Sequence, residues 1–291
     1  MIALAVRVLL VTIALLVAQI IAAGVVVAAF GSDGQPPAAP GSLPFQVASN
    51  LILVVVLAWL AQRAHWRGWR LAGALAVVLY GISFFNSIIE AVFFGFFTVR
   101  TGAVILLMTA LSTALLSPAL LLLAKRDPSS PARADWSLRL TVPRFVAGAA
   151  AYLVIYFVFG LAIFPFIADF YAGIGTPPLT RVVGMALFVR GPIFVALAAL
   201  IIAMSGASRR ETILMVAVSM SVIGGVAPLM VPSSLFPDAV RLVHFIEVSS
   251  ENFLFGWILG MLLTRRTSPL AEGRTAGEPP RGVASAGVTP R

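Results

Sequence analysis

The sequence predicts an all-α, polytopic integral membrane bundle of about eight transmembrane helices. Three observations carry this reading. Of the 291 residues, 60% are apolar and 11% charged, whereas a soluble domain runs near 45–50% and about 25%. Eight predominantly apolar runs approach the ~20 residues needed to cross ~30 Å of hydrocarbon. Basic residues collect in alternate connectors, as they do in loops held on the cytoplasmic side. The composition excludes a soluble globular protein and a disordered one. The chain has no cysteine, which removes disulfides, thiolate metal sites and cysteine nucleophiles. Two histidines, His65 and His244, are too few for an imidazole-built metal centre. A net charge of +9 would suggest nucleic acid in a soluble chain. Here it reads as cytoplasmic loop bias, so the expected partner is the lipid bilayer and no nucleic acid.

The first span, 8–30, follows Arg7 and is longer than the ~7–15-residue apolar core of a secretory signal. A Pro/Gly-rich connector, 31–44, leads to a short second span, 45–62. The third, 71–98, is long, so the two must tilt differently. The fourth, 102–124, precedes a basic connector, 125–144, in which Asp135 to Arg144 is expected to lie along the interface as a short amphipathic piece. Spans 145–168, 182–204, 212–235 and 240–264 complete a single transmembrane domain, 1–264. Residues 265–291 are expected to form a disordered basic cytoplasmic tail.

Sixteen of the 20 basic residues fall on one side: Arg7, the arginines at 63, 67 and 70, the 125–144 connector, Arg209 and Arg210, and the tail. The other side receives Arg100, Arg181 and Arg241. Both termini are therefore expected in the cytoplasm, and the chain in a bacterial-type inner membrane. Trp59, Trp66, Trp69 and Trp136 fall at the same inner interface, where aromatic belts form.

Segments 90–97 (EAVFFGFF) and 251–258 (ENFLFGWI) are alike at an offset of 161 residues. With a shorter connector, spans 1–3 align on 6–8, which would make the units inverted in the membrane, as in many transporters. Arg190-Gly191-Pro192 predicts a kink in the sixth span. Gly224-Gly225 and Pro228 predict loosening of the seventh, and Phe164-Pro165 of the fifth. Residues 169–181 read as a Pro/Gly connector rather than a lid.

Glu90, Arg190, Glu247 and Glu251 are the charges that loops do not explain. Each costs ~2.5–3.5 kcal/mol or more at mid-span unless paired, neutralised or hydrated. Arg241, His244, Glu247 and Glu251 recur at steps of three and four, within an arc of about 120° on one helix face. Counted from the outer ends of their helices, Glu90, Arg190 and Glu251 reach a similar depth. Asn86 lies one turn before Glu90, and Asn252 follows Glu251. The expected site is therefore a network of Glu90, Arg190, His244, Glu247 and Glu251, supported by Asn86, Arg241 and Asn252. Three glutamates face one arginine and one histidine, and this carboxylate surplus favours a pocket that holds a proton or a small-molecule or ion substrate.

The leading functional expectation is a transporter or permease-like protein with this cluster open to the outer face. The alternatives are a non-catalytic scaffold with a structural ion-pair network and an intramembrane enzyme using Glu/His acid–base chemistry. The sequence has no His-Glu-x-x-His, P-loop, dinucleotide fingerprint or Gly-x-Ser-x-Gly. Intramembrane proteases of the CAAX-processing type place paired glutamates on one helix and histidines on two others. A single Glu90 in the third span and one membrane histidine do not make that pattern. One imidazole among carboxylates suits Mn or Fe better than structural zinc, and neither a metal nor a cofactor is assigned.

Overall fold

The computed structural model describes residues 2–31, 39–124, 136–173, 175 and 177–266. Among these, eight helices are long and apolar enough to cross a membrane. They are α1 (Ala3–Phe30), α2 (Leu43–Arg63), α3 (Gly68–Phe93), α4 (Val99–Leu123), α5 (Val142–Ala172), α6 (Leu179–Met204), α7 (Arg209–Met230) and α8 (Asp238–Leu263). The chain is a multi-pass membrane protein. Its perimeter is a belt of exposed apolar side chains, including Ile20 on α1 and Val154, Val158 and Leu161 on α5.

Two spans end earlier than their apolar runs suggest. α3 stops at Phe93 because Gly95 takes a left-handed φ of +80°. The Phe96 N–H then bonds Ala91 O at 2.9 Å and the Gly95 N–H bonds Val92 O at 3.1 Å, the paired closure of a Schellman motif. This releases Phe94, Phe96 and Phe97 from the helix. α7 stops at Met230, where Val231 is extended ahead of Pro232, as a residue before proline prefers. At the other end α5 runs on to Ala172, so Tyr171 sits on a helix and not in the expected connector.

The centre of the bundle is an antiparallel seam between α7 and α8. Gly256 and Gly260 lie one turn apart on α8. A Cβ at Gly256 would stand 2.8 Å from Ala217 Cα, and one at Gly260 would stand 2.9 Å from Ile213 Cα. The two backbones touch because these side chains are missing, the close approach that small-xxx-small spacing permits in lipid. α5 and α6 pack on the other side of α8, α3 on α6 and α4, and α1 on α4 and α2. The triplets related by the 161-residue offset differ in packing: α7 and α8 meet along their length, whereas α2 and α3 meet little.

At the arginine-rich end, Trp136–Leu138 (β1) and Thr264–Arg266 (β2) form a two-stranded antiparallel clasp with Trp136 opposite Arg266. The described start of the piece expected along the interface, Trp136–Leu138, is thus an extended strand. Trp136 is buried, and its indole N–H donates to Ala207 O at 2.9 Å. Arg265 and Arg266 belong to this clasp instead of the loose tail expected from 265 onward. Residues 125–135 and 267–291 lie outside the described residues, as do residues 32–38 of the 31–44 connector.

Three helices carry a wide turn of π type: Tyr80–Phe85 in α3, Ala186–Arg190 in α6 and Val222–Val226 in α7. Two of them immediately precede a proline. Pro192 lacks an N–H and would press its ring on the carbonyl four residues back. The turn widens instead, and the Gly191 N–H reaches Ala186 O. The Ala227 N–H reaches Val222 O ahead of Pro228 in the same way. The kink and loosening expected at these prolines take the form of added width, with the helices continuing through. The turn at 80–85 has no proline.

Candidate functional site

The wide turn in α6 ends on Arg190, and the one in α3 ends just before Asn86 and Glu90. A π-type turn rotates the helix beyond it, and such turns gather at functional sites. Here they bring Arg190 and Glu90 together: Arg190 Nη1 donates to Glu90 Oε1 at 2.5 Å. The same oxygen accepts the hydroxyl of Tyr156 on α5 at 3.0 Å. Arg190 is 5% exposed. Its guanidinium lies 5.5 Å from the ring centre of Tyr152 and 5.7 Å from those of Tyr156 and Phe194, within cation–π range.

The polar stripe of α8 divides into parts. Arg241 turns away to the end of α7. Its Nη1 donates to Leu229 O at 3.1 Å and Met230 O at 3.4 Å, and its Nη2 pairs with Asp238 at 2.8 Å. It satisfies carbonyls that α7 leaves open at its last turn. Next on the stripe, His244 Nδ1 lies 2.7 Å from Glu247 Oε2, and His244 Nε2 lies 3.1 Å from the hydroxyl of Tyr171. With Glu247 ionised, Nδ1–H donates to it, and Nε2 shares a hydrogen bond with the Tyr171 hydroxyl, which can donate or accept. Glu251 is 4% exposed, and its carboxyl is hydrogen-bonded to none of the described residues. Arg190 is the cation whose field reaches it.

Glu90, Arg190, His244, Glu247 and Glu251 all line one cavity of about 500 Å³, together with Arg241 and Asn252. Asn86 does not line it. It is fully buried, and its amide nitrogen and oxygen have no partner among the described residues. The walls are chiefly apolar and aromatic. The cavity extends to Phe96, Pro177, Leu235 and Phe236, beyond the helix ends opposite the arginine-rich face. Phe96, Phe170 and Phe236 pack edge-on and stacked there, with centroids 5.2–6.2 Å apart, and Phe236 lies 5.4 Å from His244.

Sequence reasoning missed Tyr152, Tyr156 and this aromatic roof. Tyr152 and Tyr156 stand four residues apart in a span otherwise almost free of polar groups, a spacing that puts both on one helix face. Among the described residues, no three His, Asp or Glu side chains converge as metal ligands. Compared with protein-family models, curated proteins and solved structures, the chain matches none.

Proposed function

We propose that this chain is a permease-like protein whose cavity holds a substrate, with Glu251 as its exchangeable proton or cation site. One observation carries the reading: Glu251 is a buried carboxyl at the wall of a cavity, hydrogen-bonded to none of the described residues. A structural ion pair needs two members, and Glu90 with Arg190 already makes one. A third carboxyl in lipid costs free energy that packing does not return. A protein that must load and release a proton or cation needs such a group. The cavity size falls in the ~300–1,000 Å³ range of small-molecule sites. The wide turns beside the cavity suit alternation, because a π-type turn becomes α-helical by a one-residue shift.

The test uses the absence of cysteine. Ser87→Cys and Val248→Cys place single thiols in the cavity wall. In oriented membranes a permease exposes each to a membrane-impermeant maleimide from both faces, fast from the face opposite the arginine-rich end and slower from the other. Labelling from one face only, at any exposure time, removes the proposal.

A second reading rests on the Glu247–His244–Tyr171 chain, which has the connectivity of an acid–base relay. An enzyme of this kind loses turnover in His244→Gln and shows one-sided labelling in the wild type.

A further inference from the structure

We infer that the occupant of this cavity is a lipophilic organic cation, an amphipathic amine or onium ion whose charge sits against Glu251 and whose hydrocarbon lies on the apolar wall. The inference deepens the permease reading and rests on it.

The charge distribution comes first. Arg190 is committed to Glu90 at 2.5 Å. Arg241, which also borders the cavity, is committed to Asp238 and to two backbone carbonyls. His244 is held between Glu247 and Tyr171. The Nε of Arg190 and of Arg241 is buried without a partner among the described residues, but each guanidinium already faces a carboxylate, Glu90 or Asp238, whereas the Glu251 carboxyl has no hydrogen-bonding partner among them. When Glu251 is ionised, the Glu90–Arg190 and Asp238–Arg241 pairs each sum to zero and the Glu251 carboxylate is left without a cation of its own. A buried negative charge in an apolar wall is stable only when a cation or a proton joins it. An anion would be repelled, and a neutral molecule would leave the carboxylate uncompensated.

The walls determine the rest of the molecule. A bare inorganic cation needs a shell of oxygen ligands, and no three acidic or histidine side chains converge among the described residues. The wall is instead built of Ile88, Phe94, Phe157 and Ile163, surfaces that take hydrocarbon and aromatic rings. Aromatic faces also attract onium cations. Leu161 and Phe164 line the cavity too, and both are exposed on the outer surface of α5, at 69% and 47%. The cavity therefore reaches the perimeter of the bundle, where an amphipathic molecule dissolved in the bilayer arrives.

The experiment is equilibrium binding to the purified full chain in detergent, by isothermal titration calorimetry. The probes are tetraphenylphosphonium and tetraphenylborate, ions of the same shape and opposite charge. The phosphonium is expected to bind and the borate to bind at least roughly tenfold more weakly. Glu251→Gln should weaken the phosphonium by roughly 30-fold or more, the scale of removing one partner of a buried charge pair. Glu211→Gln, remote from the cavity, should leave it unchanged. Equal binding of the two ions, or tighter borate, overturns the inference without any variant, so a Glu251→Gln chain that fails to fold does not protect it. Two-sided maleimide labelling without cation preference removes the substrate class and leaves the permease. Cation preference with one-sided labelling leaves a cation-binding cavity and removes the permease.

Discussion

Arg63–Glu211 and Arg190–Glu90 each join two helices, and they differ in the medium around them. Arg63 and Glu211 link the end of α2 to the start of α7 at 2.8 Å, with side chains 51% and 25% exposed. Arg190 and Glu90 link α6 to α3 at 2.5 Å, with side chains 6% and 29% exposed. At 4 Å two unit charges attract by about 1 kcal/mol in water and by about 4 kcal/mol at an effective dielectric of 20. At the interface, water and counter-ions take over when a partner is lost. Within the bundle nothing replaces it. The same chemistry is therefore optional at one place and obligatory at the other. The inner pair also stands beside a third carboxyl that its arginine does not pair with.

The largest effect expected is from Arg190→Ala. It leaves Glu90 with only the Tyr156 hydroxyl and puts Glu90, Glu247 and Glu251 around one cavity whose remaining arginine, Arg241, is paired with Asp238. Thermal unfolding in detergent should show a loss of about 3–5 kcal/mol. The double variant Arg190→Leu/Glu90→Leu should recover most of it, because a buried pair replaced by apolar groups is often near neutral. If the single and double variants are equally damaged, the pair does not act as a unit.

A second variant asks whether packing rivals charge in holding the bundle. Gly256→Leu forces a side chain into the backbone of α7 at Ala217. Overpacking typically costs about 1–3 kcal/mol, and the loss should not change with salt. Wild-type stability in this variant would mean that the seam is looser than the close approach requires.

The sequence made the spans legible because ~20 apolar residues in lipid have few alternatives to helix. Helical rise converts residue counts into distance, and Glu90, Arg190 and Glu251, grouped by such counts, line one cavity. The features that could not be read depended on geometry that periodicity does not encode. Gly95 ends α3 through a positive φ, and the apolar run continues past it regardless. Trp136–Leu138 and Thr264–Arg266 are three residues each and 128 positions apart, too short and too distant to announce a pairing. Tyr156 reaches Glu90 only because of how α5 is rotated about its axis. Arg241 has the spacing of a site residue, yet its guanidinium closes α7, a partner that no count along α8 would name.

Glu251→Gln tests the odd carboxyl, and its expected sign is opposite. The substitution removes a charge that no described residue hydrogen-bonds, keeps the shape, and should raise stability by about 0.5–2 kcal/mol. A loss comparable to that of Arg190→Ala would make Glu251 part of the structural network and would withdraw the observation on which the permease reading stands.

The smallest effect is expected from Arg63→Ala, about 0–1 kcal/mol. Its value lies in its salt dependence. At 1 M salt the screening length falls to about 3 Å, so the difference between wild type and Arg63→Ala should disappear. The Arg190→Ala deficit should persist, because counter-ions do not enter the bundle. If both deficits fade together with salt, the cavity is wet enough to screen its own charges. The two pairs would then sit in the same medium, and Glu251 would no longer need a cation to be stable.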